Sequence, residues 1–395
     1  MSKKRLIILT ATFPYGKSEE SFLVEEVKFL QNYFEILILP LRKKEGLREL
    51  KNINHEDYIN NCDRFGKYKY FFLHLLFRVE FYVGIVEIYK SGFKLRKIVS
   101  LVKVLSRTLA IKNKIERKLS LNIDTDILYS YWLDSTAYAA TYFNCKKLSR
   151  AHGYDLYKER ADNFYHPLKS YYIKKLSKVL CVSSVGKDYV KREYGSEENV
   201  VISSLGVKIQ PSCIHRQGKV EFISCSRLHP VKRIDLLIDV FSKIKNGNIL
   251  LWRHIGGGDL LVKLSEMAND QLESLKYDFL GEVTEEEIHK IYSEEKKFIF
   301  INVSSSEGVP VSIMEAMSFS IPCIACDVGG VSEIIKNQEN GILINKNFSA
   351  IELQNAIDLV LVNYDRFSRK AYEFVDENYN VERNYKSLVN IFQRM

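Results

Sequence analysis

The feature that most constrains this chain is a repeated alternation between short apolar runs and longer stretches with helical periodicity. RLIILTATFP, FEILILPL, DILYSYWL, KVLCVSS, VEFISCSR, ILLWRHIGGG, KFIFINVSSSEG and IPCIACD each end in small or turn residues. Between them lie SFLVEEVKFLQNYF, RIDLLIDVFSKIK and TEEEIHKIYSEEKK, whose apolar positions recur at helical spacing. That rhythm belongs to parallel α/β sheets with crossover helices. A length of 395 residues exceeds what one core usually serves, so two doubly wound domains are expected.

The stretch GVKIQPSCIHRQGK breaks the pattern with Pro211 and Gly218 just before the apolar run at Val220. This places a first domain at 1–210 and a second at 211–375. The end of the chain, with residues 376–395 as its terminal helix, reads as helical and aromatic, with Phe374, Tyr379, Tyr385 and Phe392 able to dock onto another surface.

Several function classes are disfavoured. The seven cysteines are odd in number, scattered and mostly set in apolar runs, which fits a reducing cytoplasm better than a disulfide scaffold. Cys323 and Cys326 form a lone CxxC, lack the second pair or histidine of a zinc site, and lie in what reads as a buried strand. The basic start MSKKRLIILT precedes an apolar run too short for a signal peptide and reads as a first strand. No stretch approaches the roughly 18 to 20 apolar residues of a spanning helix.

The formal charge of +9 is unevenly spread. Residues 64–120 hold 14 Lys/Arg against 3 Asp/Glu, a net of +11, which leaves the remainder at −2. RFGKYKYFFLHLLFRVEFYVGIVEIYKSGF interleaves ten aromatics with these bases. Two readings stand: a peripheral surface for an anionic membrane, or ordinary helices with aromatics inside and solvated lysines. Nucleic acid is not indicated, because no helix-turn-helix, RNP-like or zinc-finger pattern accompanies the charge.

Chemistry concentrates in the second half. SRLHPVKRIDLLIDVF sets Arg227 and Lys232 in a loop between a strand end and a helix, where two cations and free helix amides suit a diphosphate. SSSEGVPVSIMEAM separates Glu307 from Glu315 by seven residues, with Gly308 permitting close backbone approach and Pro310 suiting a first helical turn. One carboxylate before the helix and one along it can accept hydrogen bonds from sugar and ribose hydroxyls. HIGGGD adds bare backbone around Gly257. In the first half, FPYGKSEESF places Gly16 between a strand and a helix starting near Glu19, and SRAHGYDLY places His152 at another strand end.

Taken together, these residues resemble the family-4 retaining glycosyltransferases of the GT-B fold (glycosyltransferases group 1), from the FPYG loop to the terminal helix. The resemblance implies two Rossmann-like domains facing a cleft, an acceptor-binding first domain, a nucleotide-sugar-binding second domain, and a C-terminal helix that crosses back. It implies that Arg227 and Lys232 hold the donor diphosphate, Glu307 the transferred sugar and Glu315 the ribose. Gly308, Val309 and Pro310 line the sugar site, while Glu282 and Val283 of GEVTEEEI meet the base. Gly16 and His152 match the first-domain glycine loop and His-Gly element. Arg233 stands where glycine is common and adds bulk or charge near the phosphates.

The implied enzyme is a hexosyltransferase-type, metal-independent transferase without cofactor. It moves sugar from a nucleotide diphosphate sugar to a glycan or lipid-linked glycan in surface polysaccharide assembly, in the cytoplasm or on the inner membrane face. No DxD pair is evident where a metal-dependent transferase would need one. A sugar-nucleotide 2-epimerase of the same fold and a degenerate sugar-nucleotide binder are the alternatives.

Overall fold

A computed structural model describes residues 3–16, 20, 22–48, 50, 53–55, 78–211, 216–244, 249–273 and 275–395. Residues 64–77 of the basic aromatic segment therefore lie outside the described residues.

The chain divides into two compact units, Met1–Ser203 with Tyr385–Met395, and Ser204–Asn384. The division falls at 203/204 rather than at 210/211, because Val207 is tied to the far end of the second unit. Its amide donates to Tyr379 O at 2.8 Å and its carbonyl accepts from Val381 N at 3.0 Å.

The first unit holds a seven-stranded parallel sheet. Its strands are β1 (Arg5–Thr10), β2 (Glu35–Pro40), β3 (Asn54–His55), β4 (Asp126–Ser130), β5 (Lys146–Ala151), β6 (Lys178–Cys181) and β7 (Val200–Ile202). The order is β3-β2-β1-β4-β5-β6-β7, so connections leave β1 in opposite directions. β1 is apolar from Leu6 to Leu9 because both faces are covered: Leu6 and Ile8 enter one core, Ile7 and Leu9 another. The alternation is the two-residue period of a strand, here buried on both sides.

Beneath the sheet, Arg150 of β5 pairs with Glu26 of the helix Phe22–Leu30 at 2.9 Å, and the Tyr129 hydroxyl of β4 donates to the same carboxylate. Both charges are almost fully buried, so this pairing fixes the helix against the strands only while it stays complete.

The second unit repeats the plan with β8 (Gln217–Cys225), β9 (Ile249–Ile255), β10 (Lys276–Phe279), β11 (Lys296–Asn302), β12 (Cys323–Cys326) and β13 (Ile342–Ile344), in the parallel order β10-β9-β8-β11-β12-β13. Cys323 and Cys326 are both buried on β12. Their spacing of three turns the thiols to opposite faces of the strand, where they cannot share one metal.

The aromatic terminus is two helices, Tyr364–Tyr379 and Val381–Gln393, broken at Asn380 where ψ is 120°. Phe374 and Tyr379 remain in the second unit. From Tyr385 onward the last helix belongs to the first: Leu388, Val389 and Phe392 join its core, with Phe392 edge-on to Phe34 and Tyr129. Each such burial is worth roughly 1.5 to 3 kcal/mol.

Candidate functional site

In the second unit β8 lies between β9 and β11, and the sheet changes direction between β8 and β11. A doubly wound sheet opens a crevice beyond the carboxyl ends of such strands. Ser226–Arg233 follow β8 and Val303–Pro310 follow β11, so the fold itself brings the two motifs together. Ser305 N donates to Val231 O at 2.8 Å and pins one loop on the other.

Across this junction the Lys232 ammonium donates to Glu307 Oε1 at 2.6 Å. Asn302 Nδ2 donates to the same oxygen at 3.3 Å. Glu307 is buried and Lys232 partly exposed. Arg227 is exposed and makes no hydrogen bond or ion pair with a described residue. One cation is thus held in place and the other is open to an incoming anion.

Arg233 occupies the left-handed region at φ 52°, which explains why glycine suits this position. Its guanidinium does not add charge to the Lys232 side. It donates from Nε to Val303 O at 2.7 Å and from Nη1 to Lys346 O at 2.7 Å, and Nη2 lies 3.2 Å from Cys326 Sγ. The arginine therefore ties the loops after β8, β11 and β13 together.

The triple glycine serves packing within the protein. A Cβ on Gly256 would stand 2.0 Å from Ser226 O, and one on Gly258 would stand 2.6 Å from Leu228 O. This loop lies directly under the Arg227 loop, with Leu228 N donating to Gly257 O at 2.8 Å. A Cβ on Gly257 would meet the Glu282 side chain at 2.8 Å. Gly257 thus neighbours Glu282, which is exposed, and Val283, which is half-buried.

Pro310 directly precedes the helix Val311–Ser318 instead of opening its first turn, and no side chain caps that helix. Glu315 lies on it, half-buried, and its carboxyl group has no hydrogen bond or ion pair among the described residues. Burial, with repulsion from Glu285, pushes its carboxyl up to about 7. A carboxylate so placed gains from any hydroxyl that reaches it.

Two residues of this site went unread in the sequence. Gly329, at φ 57°, follows β12, and a Cβ there would stand 1.9 Å from Glu307 O. Gly330 N donates to Gly308 O at 2.8 Å, and a Cβ on Gly330 would stand 2.4 Å from that oxygen. The signal was the Gly-Gly pair of CDVGGVSEII, which shapes the loop of Glu307 and Gly308 from behind.

In the first unit the change of direction lies between β1 and β4. Gly16 has φ 91° and donates its amide to Gly46 O at 2.9 Å. The neighbouring helix begins at Phe22, later than Glu19. His152 follows β5, partly exposed, with its ring 4.9 Å from that of Tyr131 and 4.6 Å from that of Trp132. Its main-chain amide donates to Asp155 Oδ1 at 2.7 Å, whereas Nδ1 lies 3.8 Å from Oδ2, beyond hydrogen-bond distance. Neither ring nitrogen is hydrogen-bonded to a described residue. Burial raises the Asp155 carboxyl, but His152, Lys169 and the Leu133 amide outweigh it and leave it below its ordinary value.

Glu20 is the residue here that pattern reading does not reveal. Its carboxylate accepts from the amides of Ala11 at 2.9 Å, Thr12 at 2.8 Å and Phe13 at 2.8 Å, and from Trp132 Nε1 at 2.6 Å. Three consecutive amides after β1 form an anion-binding concavity, and the protein fills it with its own carboxylate. Glu20 thereby holds the indole that packs on His152.

Two doubly wound parallel sheets, one with two cations and two glutamates in the loops and helix at its switch point, define a two-domain α/β architecture of the Rossmann-like kind. Residues 208–374 match the family model described as Glycosyl transferases group 1. The chain is 30% identical over 224 residues to the O-antigen biosynthesis glycosyltransferase WbnH of Escherichia coli, covering 55% of this chain and 61% of that protein. It is 31% identical over 201 residues to the poly(ribitol-phosphate) alpha-N-acetylglucosaminyltransferase of Staphylococcus aureus, covering 49% and 40%. The chain thus spans about three fifths or less of the length of these curated relatives.

Solved structures match over nearly the whole chain. Anabaena HepE in complex with UDP and glucose superposes with a TM-score of 0.70 at 13% identity, over 99% of this chain and 100% of that one. TarM of S. aureus does so with a TM-score of 0.72 at 17% identity, over 99% of each. The fold is GT-B.

Proposed function

We propose that this protein is a retaining glycosyltransferase that moves a hexose-type sugar from a nucleotide diphosphate sugar to a glycan or lipid-linked glycan acceptor in surface polysaccharide assembly. The observation that carries this reading is the Lys232–Glu307 pair beside the open Arg227 at the β8/β11 switch point. Arg227 and Lys232 stabilise the leaving diphosphate without metal or cofactor, as fixed cations aimed at developing charge. Glu307, with Gly308, Val309 and Pro310 beside it, receives the transferred sugar. Glu315 receives the ribose, Glu282 and Val283 the base, and the backbone at Gly257 the phosphate or sugar. Gly16 is assigned to donor binding and His152 to catalysis.

The O-antigen biosynthesis glycosyltransferase WbnH, the poly(ribitol-phosphate) alpha-N-acetylglucosaminyltransferase and HepE in complex with UDP and glucose support a nucleotide-sugar donor and a glycan product. An epimerase of this fold and a degenerate binder have no specific observation in their favour. Among the described residues no helix is long and apolar enough to cross a membrane. We place the protein in the cytoplasm, in peripheral contact with the inner face of the membrane through residues 64–120.

The test is turnover of a panel of UDP-, GDP-, ADP- and TDP-sugars with a membrane glycolipid extract as acceptor, read as released nucleoside diphosphate and as the anomeric configuration of the product by NMR. Release with retained configuration is expected. Release without sugar transfer, or product of inverted configuration, would overturn the corresponding part of the reading.

A further inference from the structure

The basic aromatic segment contains a helical hairpin, Val79–Lys90 and Leu95–Lys118. Its inner face is settled: Phe81, Ile88, Leu101, Leu105 and Leu109 belong to a core of the first unit. Its outer face is not covered by the described residues. Val79, Tyr82 and Val86 recur at helical spacing and are 69%, 57% and 52% exposed. At the tip Tyr89, Phe93 and Leu95 are 80%, 64% and 71% exposed. Packing of aromatics inward therefore accounts for Phe81 but leaves the tip unexplained.

The tip is also charged and braced. Lys90, Lys94 and Arg96 are exposed and alternate with the apolar side chains. From Ile88 to Ile115 the sequence has eight Lys/Arg and no Asp or Glu. Lys97 is buried, and its ammonium donates to Ser91 O at 2.8 Å, Gly92 O at 3.2 Å and Ser91 Oγ at 3.0 Å. One lysine thus satisfies the carbonyls of the turn, so the tip is formed before any partner arrives.

We infer that this hairpin tip, Tyr89–Arg96, inserts its three apolar side chains into the interface of an anionic lipid bilayer while Lys90, Lys94 and Arg96 meet the headgroups. Aromatic and leucine side chains enter the boundary between headgroups and acyl chains, and long cationic side chains reach back to the charged layer. A second copy of the chain is disfavoured as occupant, because it brings the same uncompensated positive charge to the contact. The inference deepens the reading of a lipid-linked acceptor by naming the element that brings the protein to it. It rests on exposure and charge alone, so membrane binding and donor binding fail independently.

The full chain is sedimented with phosphatidylcholine vesicles containing 0, 20 or 40% phosphatidylglycerol, beside Phe93→Ser/Leu95→Ser and Lys90→Gln/Lys94→Gln/Arg96→Gln. Each base near an anionic surface contributes roughly fivefold, so losing three weakens binding on the order of a hundredfold. Binding that rises with phosphatidylglycerol, falls in both variants and leaves the UDP-induced thermal shift intact is expected. Equal sedimentation of either variant overturns the assignment. So does wild-type protein that ignores anionic vesicles, or a tip whose substitution only converts an oligomer to monomer.

Discussion

The ammonium of Lys232 lies 2.6 Å from Oε1 of Glu307, although 75 positions separate them in the chain. The contact spans the switch point of the second sheet, joining the loop after β8 to the loop after β11. A cation held there by a carboxylate keeps its position before a ligand arrives and gives up little order when it meets a leaving group.

Removing that cation is therefore expected to act on the transition state. Lys232→Ala should lower kcat by roughly two to three orders of magnitude, the usual cost of losing one fixed donor to developing charge. Glu307 keeps Asn302 as a partner, so the thermal unfolding midpoint should change little. Steady-state kinetics beside a melting curve check both halves, and unchanged turnover would remove Lys232 from the mechanism.

Donor affinity should depend on pH through Glu315. Its folded pKa is raised to about 7, so the neutral form predominates below that value and the carboxylate above it. Two hydroxyls donate to the carboxylate more strongly than to the acid, so nucleotide binding should tighten between pH 6 and pH 8. The same raised pKa means that Glu315 contributes stability below about pH 4.5, which is lost as pH rises through 7. Isothermal titration of UDP across that range should show the slope in the native protein and its absence in Glu315→Gln.

Gly329→Ala should disable the site without touching a ligand. Its Cβ has no room beside Glu307 O, and φ 57° is costly for alanine. The Glu307 loop must move, so turnover should fall at least tenfold with a destabilisation of about 1 to 3 kcal/mol. An unchanged kcat in this variant would show that the position of Glu307 is not critical.

Glu20→Gln leaves at least one of the three loop amides without an acceptor and weakens the hold on Trp132. A loss of about 1 to 3 kcal/mol in stability is expected, since donors are left unpaired. With 5-fluorotryptophan labelling, the Trp132 resonance should shift while that of buried Trp252 stays in place. Two unmoved resonances would mean that Glu20 does not hold the indole.

Much of this architecture is legible in the residues themselves. The apolar run of β1 reads as a doubly covered strand because Leu6 to Leu9 are apolar at every position, and E-x7-E places Glu307 before a helix and Glu315 within it. What escapes is whatever depends on distant partners. Glu20 meets amides seven to nine positions away and an indole 112 positions away, a set with no period. Gly329 is shaped by the carbonyl of Glu307, which no local pattern reveals. Arg233 reads as added charge, yet the carbonyls that receive it lie 70 and 113 positions on. The break at Asn380 escapes too, because the amphipathic pattern runs on from one helix into the next.

The central claim, that the second unit holds a nucleotide sugar, is tested most directly by a thermal-shift screen of the purified protein against UDP-, GDP-, ADP- and TDP-linked sugars. A ligand that binds only the folded state must raise its midpoint. A rise with one nucleotide class, abolished in Glu315→Ala, is the expected result. Folded protein whose midpoint is unmoved by every donor would contradict the account.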